Sequence, residues 1–260
     1  MSNRFDLTGK VAVITGATGN FGGEFSRIFA ENGASLILAV RDMEKGNAFA
    51  EELRADYGVE VLPLTWEATN VESIKQLAVE AAAWKGHVDV VVNNAGGNRT
   101  TSFSHFFDRS DDDIRIGIEM NLLSVLYCCR EFGRLMKEQK SGSIINIASI
   151  AGIVGRDRRM YYRCGKNENL IDYAAAKGGV ISATRDLAAV LGPYGVRVNC
   201  ISPGGFANGC AMEFQELYGE ATPLGRMGEP GKELGSAGLF LASDASSYVT
   251  GHNLVVDGGF

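Results

Sequence analysis

The sequence predicts an α/β fold built on a doubly wound parallel sheet with helices on both faces, and three observations carry that expectation. Seven short apolar runs recur along the chain. They are rich in Val, Ile and Leu without polar alternation, the pattern of strands buried on both faces. Longer helical stretches separate them, and such alternation implies right-handed crossovers between parallel strands.

The elements follow in order. Strands are expected at 11–15, 36–40, 59–64, 88–93, 143–148, 196–201 and 253–256, with helices over 21–32, 43–57, 71–84 and 174–191 among them. The first strand runs into Thr15-Gly16-Ala17-Thr18-Gly19-Asn20-Phe21-Gly22 and then a helix. Glycines there permit a tight turn and close backbone approach to a pyrophosphate. The free N–H groups and positive dipole end of the following helix favour that anion. The context, strand then turn then helix at the first crossover, is the one a dinucleotide-binding, Rossmann-type turn requires. From Ile150 to Asp172 the chain loses periodicity and gathers charge, as functional lids do. No linker or repeat divides the sequence, so residues 1–260 are read as one domain, with substrate loops near 97–110, 150–172 and 204–222.

Composition narrows the function. The chain has 260 residues, 45% hydrophobic and 22% charged, enough for a core without disulfide or metal staples. A net charge of −6 argues against a nucleic-acid partner. Five cysteines without a CxxC pair suggest neither a disulfide framework nor a zinc site, and His87, His105 and His252 lack ligand spacing, so no metal is expected. No signal-like apolar start and no membrane-length run occur, which gives a cytoplasmic expectation with no membrane partner.

Further motifs then fall in a telling order. Asn93-Asn94-Ala95-Gly96 follows the fourth strand and Asn121 lies in a helix. Ser149 follows the fifth strand, Tyr173-Ala174-Ala175-Ala176-Lys177 opens a helix, and Pro203-Gly204 follows the sixth strand. With Ser247-Tyr248-Val249-Thr250-Gly251 and Val256-Asp257-Gly258-Gly259 near the end, the chain resembles the compact members of the short-chain dehydrogenase/reductase family over nearly its whole length. The resemblance implies an enzyme that moves hydride between a nicotinamide coenzyme and a carbonyl/alcohol pair, with Asn121, Ser149, Tyr173 and Lys177 as the catalytic set. It also implies that Lys177 grips the nicotinamide ribose and that Asn121 anchors a water linking Lys177 to solvent. Tyr173 and Lys177, four apart, share a helix face. A nearby ammonium favours an ionised phenol, which otherwise titrates near about 10. Ser149 can hydrogen-bond the reacting oxygen beside it.

The sequence also holds a decoy, Tyr162-Arg163-Cys164-Gly165-Lys166, with the same spacing and the family's usual separation from Ser149. Tyr173 is preferred because a small-residue helix, a strand and Pro203-Gly204 follow it at the family's distance. Tyr162 is followed by Gly165 and Asn167, poor helix material. The choice makes the stretch between Ser149 and Tyr173 an insertion.

The coenzyme site is read as Gly16, Thr18, Asn20, Phe21, Gly22, Arg41, Glu67, Ala68, Asn94, Ala95, Gly96, Tyr173, Lys177, Pro203, Gly204 and Phe206. Asn20 replaces the compact members' usual glycine, and the turn survives if Asn takes left-handed backbone. Glu67 stands where relatives carry an Asp facing adenine. Val40 occupies the position of the acidic residue that holds the ribose in NAD-specific relatives, and Arg41 could pair with a 2′-phosphate instead. NADP(H) is therefore favoured, with NAD(H) left open because Arg41 can stack on adenine with either. A threonine often follows Pro-Gly in the family. Gly205, Phe206, Ala207 and Asn208 stand here instead, which leaves that contact open.

The insertion carries Arg156, Arg158, Arg159, Arg163 and Lys166 at the carboxyl end of a strand, where such sheets bind ligands. Guanidinium groups bind carboxylate or phosphate, so Arg156, Arg159 and Arg163, with Asn98, Arg99 and Ser149, point to an anionic or polyhydroxylated, sugar-like small molecule. The alternative is a solvated surface loop, or one that packs against a neighbouring subunit. Rival readings are a 3-ketoacyl reductase, an epimerase or dehydratase with tightly held NAD, and a non-catalytic binding protein. The resemblance implies tetramers formed through the Tyr-bearing helix and the C-terminal strand, and Gly178, Gly179, Ala183 and Ala188 would permit close helix packing there, so a homotetramer is expected. The segment 212–218 is expected to form a flap over the site.

Overall fold

The structure is a computed structural model that describes residues 3–97, 105–166 and 170–260. Seven strands form one parallel sheet: β1 (Val11–Thr15), β2 (Ser35–Val40), β3 (Val61–Thr65), β4 (Val90–Asn93), β5 (Gly142–Ile147), β6 (Val196–Pro203) and β7 (Asn253–Val256). Their order is β3-β2-β1-β4-β5-β6-β7. Every pairing is parallel, Val13 lying beside Ile37 on one side and Val91 on the other. The order reverses between β1 and β4, and open α/β sheets bind ligands outside the carboxyl ends of the strands at such a point.

All five residues of β1 are buried, because the pleat sends alternate side chains to two separate cores. Val11 and Val13 join Ile37, Val91 and Ile144 on one face. Ala12 and Ile14 join Leu36, Leu38 and Ile145 on the other. Helices α1 (Asn20–Glu31), α2 (Met43–Tyr57) and α9 (Gly235–Ala242) cover the second core with Phe25, Phe29, Leu53 and Leu239. The first core is covered by α3 (Val71–Lys85), α5 (Ser124–Gln139) and α7 (Ile171–Leu191), through Ile74, Leu77, Phe132, Met136 and Val180. A short helix, α4 (Asp111–Ile118), leads through a π turn at Glu119–Leu123 into α5.

Three expectations change. The insertion is not aperiodic. A 3-10 turn at Ile150–Gly152 is capped by Ser149, and α6 (Arg158–Arg163) is capped by Asp157. A third apolar cluster joins α6 to α8 (Met212–Glu220) through Met160, Phe214, Leu217 and Tyr218. Asn20 starts α1 with ordinary backbone, and Gly16, at φ 65°, takes the left-handed conformation instead. Gly178 and Gly179 gain a packing role within the chain, though each keeps part of its surface exposed. A Cβ at Gly152 would lie 2.5 Å from the Gly178 nitrogen, and one at Gly179 would lie 3.0 Å from Leu122. Ala188 is buried in the first core.

Candidate active site

A cleft of about 820 Å³ opens at the sheet's point of reversal. Its floor is the glycine turn. Asn94 fastens β4 to that turn, its Nδ2 donating to the Thr15 carbonyl at 2.9 Å. The Thr15 hydroxyl accepts from the Asn94 and Ala95 N–H groups at 3.0 Å each. Gly19 caps α1 without a side-chain hydrogen bond, and the first turn carries no acidic residue. The helix therefore presents unsatisfied N–H groups to the cleft. Gly16, Thr18, Asn20 and Phe21 line this end. Gly22 does not. A Cβ there would stand 2.2 Å from the Gly16 carbonyl oxygen, so glycine at 22 serves the packing of α1 under the turn.

The far wall comes from the ends of β2 and β3. Val40, Arg41, Asp42 and Lys45 line it, with Trp66 and Ala68. Asp42 is engaged in capping α2, accepting from the Lys45 N–H at 3.1 Å. Arg41 is exposed, and among the described residues it forms no ion pair. Glu67 is misplaced by the sequence reading. Its neighbours Trp66 and Ala68 face the cleft, and its own carboxylate accepts from Thr69 at 3.4 Å. Trp66 is buried and its indole nitrogen has no partner. An open helix end, an unsatisfied ring donor and paired cations suit an anionic, ring-bearing dinucleotide.

The reacting end lies where β4, β5 and α7 meet. Ala95, Gly96, Ser149, Tyr173, Lys177, Pro203 and Gly204 line it. Tyr173 forms a side-chain hydrogen bond with Ser149. Tyr162, the decoy, is 45% exposed on α6 and does not line the cleft. Lys177, 3% exposed, donates to the Ile147 carbonyl at 2.7 Å. Its Nζ lies 5.6 Å from the centre of the Tyr173 ring. Asn121 sits behind the wall. Its Nδ2 donates to the Gly97 and Gly117 carbonyls at 2.8 and 3.0 Å, and its Oδ1 accepts from the Gly97 N–H at 2.9 Å. Gly96 has no side chain to intrude there. A Cβ would stand 2.8 Å from Asn121 Oδ1 and 3.4 Å from Lys177 Nζ.

Electrostatics differ from the sequence expectation. Burial pushes the Tyr173 phenol up, while the Ser149 hydrogen bond and the positive charge of Arg156 pull it down. Burial brings the Lys177 ammonium down to about 8. Lys177 donates to a backbone carbonyl while its Nζ stays 5.6 Å from the ring centre, and the charge of Arg156 also favours the ionised phenol.

The basic insertion divides sharply. Arg159 is paired with Asp157 at 2.6 Å, and its side chain is 88% exposed. Arg163 is exposed, and Lys166 lies over the Phe214 ring at 4.0 Å. The ordinary solvated-surface role accounts for Arg159 and Arg163; none of Arg156, Arg159 and Arg163 is among the residues lining the cleft. Arg156 is turned inward. Its Nη2 is buried without a hydrogen-bond partner, and its charge is felt by both Tyr173 and Tyr218. Asn98 and Arg99 lie outside the described residues.

Phe206 also leaves the cleft, packing edge-on against Phe21 with centroids 4.9 Å apart. Asn208 lines the cleft instead, two residues later. The sequence reading missed Lys45, Trp66, Asn208 and Pro230. Lys45 carried a signal, lying one turn beyond Arg41. Pro230 carried none, since its segment is held by Glu24 of α1, whose buried carboxylate accepts from the Gly231, Leu234 and Gly235 N–H groups at 2.6–3.0 Å.

A family model described as enoyl-(acyl carrier protein) reductase matches residues 16–260. The chain belongs to the short-chain dehydrogenase/reductase family. Galactitol 2-dehydrogenase (L-tagatose-forming) of Cereibacter sphaeroides is 35% identical, the match covering 98% of this chain and 96% of the relative. A 3-oxoacyl-[acyl-carrier-protein] reductase of Chlamydia muridarum is 33% identical over 97% of this chain and 98% of its own. Among solved structures, a gluconate 5-dehydrogenase from Burkholderia cenocepacia, in complex with NADP and tartrate, superposes with a TM-score of 0.87 at 30% identity, covering 98% of this chain and 96% of that one. Short-chain dehydrogenases/reductases use NAD(P)(H), and this member is an oxidoreductase acting on a small molecule. No helix among the described residues is long and apolar enough to cross a membrane.

Proposed function

We propose that this oxidoreductase interconverts a secondary alcohol and a ketone on an anionic or polyhydroxylated, sugar-like substrate, with NADP(H) as the favoured coenzyme. The observation that carries the substrate class is Arg156, which is half-buried, whose Nη2 among the described residues is buried without a partner and whose charge favours the Tyr173 phenolate. A guanidinium nitrogen lacking a partner is favourably completed by a carboxylate. The relatives include proteins named for galactitol and gluconate, and one is complexed with tartrate.

When bound, the nicotinamide coenzyme supplies or accepts the hydride. The chain's residues do the rest. The open end of α1, with Thr18, Asn20 and Phe21, would hold the diphosphate. Trp66 and Ala68 would flank the adenine, and Arg41 with Lys45 would take a 2′-phosphate. Asn94, Ala95, Gly96, Pro203 and Gly204 would shape the nicotinamide end, where Lys177 would hold the ribose. Ser149 orients the substrate oxygen by a hydrogen bond, and Tyr173 exchanges a proton with that oxygen. Asn121 fixes the Gly97 backbone beside Lys177. The loops near 97–110, 150–172 and 204–222 would surround the substrate. The five free cysteines fit a reducing, cytoplasmic setting, and we read the working form as a homotetramer.

Steady-state kinetics with both coenzymes across sugar acids, phosphosugars, neutral polyols and an acetoacetyl thioester test the reading. We expect kcat/KM to be highest with NADP(H) and an anionic sugar. Arg156→Ala should raise KM for that acid by about 10- to 100-fold, the loss of a charged hydrogen bond. Exclusive turnover of the thioester would overturn the sugar reading in favour of a ketoacyl reductase. Coenzyme retained through purification without net turnover would favour an epimerase. A strong NAD(H) preference would overturn the assignment of Arg41.

A further inference from the structure

Tyr173 is the third residue of α7, and that helix begins without a side-chain cap, since Leu170 precedes it. Uncapped ends leave N–H groups unsatisfied and open at small cost in free energy. A frayed first turn would carry Tyr173 away from Ser149. Asp172, the residue immediately before Tyr173, is anchored elsewhere. Its Oδ2 accepts from Arg109 Nη2 at 2.9 Å, and the two side chains are 3% and 0% exposed. The same guanidinium nitrogen donates to the Asp113 carbonyl at 3.3 Å, in the first turn of α4. Gly117 of α4 makes room, because a Cβ there would stand 2.1 Å from Asp172 Oδ2. The Gly117 carbonyl in turn accepts from Asn121.

We infer that Arg109 and Asp172, seated on Gly117, form a positioning clamp that fixes the first turn of α7 and holds Tyr173 against Ser149. Neither residue lines the cleft, so both act through Tyr173. The pair is a poor source of stability. Among the described residues, Arg109 Nε and Nη1 and Asp172 Oδ1 are buried without hydrogen-bond partners. Replacing both members of such a pair by apolar side chains is often neutral or stabilising. Placement explains its presence better, since a misplacement of about 1 Å can cost about 100-fold in rate.

The inference rests on Tyr173 as the proton-transfer group, so the test separates the two. Amide hydrogen exchange over residues 171–177 is measured on the full chain for the wild type, Arg109→Lys and the double variant Arg109→Met/Asp172→Leu, alongside Tm and kcat. The double variant should keep a near wild-type Tm, exchange faster over 171–177 and lose about 10- to 100-fold in kcat, with coenzyme affinity unchanged. Arg109→Lys should recover part of both. Wild-type exchange and kcat in the double variant overturn the clamp, as does faster exchange with wild-type kcat. If the double variant does not fold, Gly117→Ala keeps both charges while crowding the carboxylate, and unchanged exchange and kcat there overturn it equally. Tyr173→Phe is measured in parallel. If it keeps turnover, the proton-transfer reading fails while the exchange data still decide the clamp.

Discussion

Lys177 carries a charge into a place that ammonium groups avoid. It is 3% exposed, its one protein hydrogen bond goes to the Ile147 carbonyl, and burial brings its pKa from 10.5 to about 8. The sign of the linkage follows. Below pH 8 the folded and unfolded chains both hold the proton, and folding bears the whole cost of burial, on the order of 3 kcal/mol. Between pH 8 and the unfolded value, the folded chain has released the proton and the unfolded chain has not, so stability climbs with pH. Urea unfolding of the wild type and Lys177→Met from pH 7 to 10 checks this. The wild type should gain roughly 2–3 kcal/mol on the variant over that range. A difference that stays constant with pH would remove burial as the cause. Spacing alone placed Lys177 on the Tyr173 face, because residues four apart on a helix share one. It could not show that the ammonium ends on a carbonyl. Glu67 shows the same limit. The turn after β3 sends Trp66 and Ala68 into the cleft and the carboxylate between them away, a local detail with no sequence signature.

At the scale of elements, legibility follows the source of each element's stability. The turn into α1 was readable because glycines at 16, 19 and 22 answer local backbone demands, and because α1 buries a full apolar face. Helix α6 was not. Six residues cannot hold a helix alone, and its one local signal was Asp157, which caps it. Its stability is tertiary, supplied by Met160 packed with Phe214, Leu217, Tyr218 and Met227. Tyr218 then pins this unit to the end of β6, accepting from the Gly205 N–H at 2.6 Å. The α6 insertion and α8 therefore share one small core, separate from the two cores of the sheet. Met160→Ala should weaken that unit by about 2 kcal/mol, which raises proteolytic nicking of the native protein about 30-fold. Cleavage should appear in both 150–166 and 205–227 at matching rates, with the rest of the chain protected. Nicking confined to one segment would mean that the two open independently.

The whole molecule ends at an edge that the fold leaves open. The strand order was predictable in kind, because runs buried on both faces cannot build anything but a covered parallel sheet; strand ends moved by a residue or two, as with β6, which continues to Pro203. Gly178 and Gly179 keep part of their surface exposed while packing within the chain, and β7 offers a second surface for association. Among the described residues that strand pairs only with β6; its Val255 is 43% exposed, and Tyr248, five residues before the strand, is fully so. Val190, near the end of α7, is 62% exposed, and Ala188, two residues earlier, lies against Gly251, two residues before β7. An unpaired, apolar strand edge invites pairing or aggregation unless something covers it. We propose that a second copy of the chain, related by a twofold axis, covers it with the same surface, and that two such axes close a tetramer. Sedimentation equilibrium at micromolar concentration should give four times the 27.8 kDa chain mass. Val255→Lys, which puts a charge on the shared edge, should shift the distribution to smaller species without loss of secondary structure. A wild-type protein that sediments as a monomer would refute the assembly, and the open edge of β7 would then need another cover.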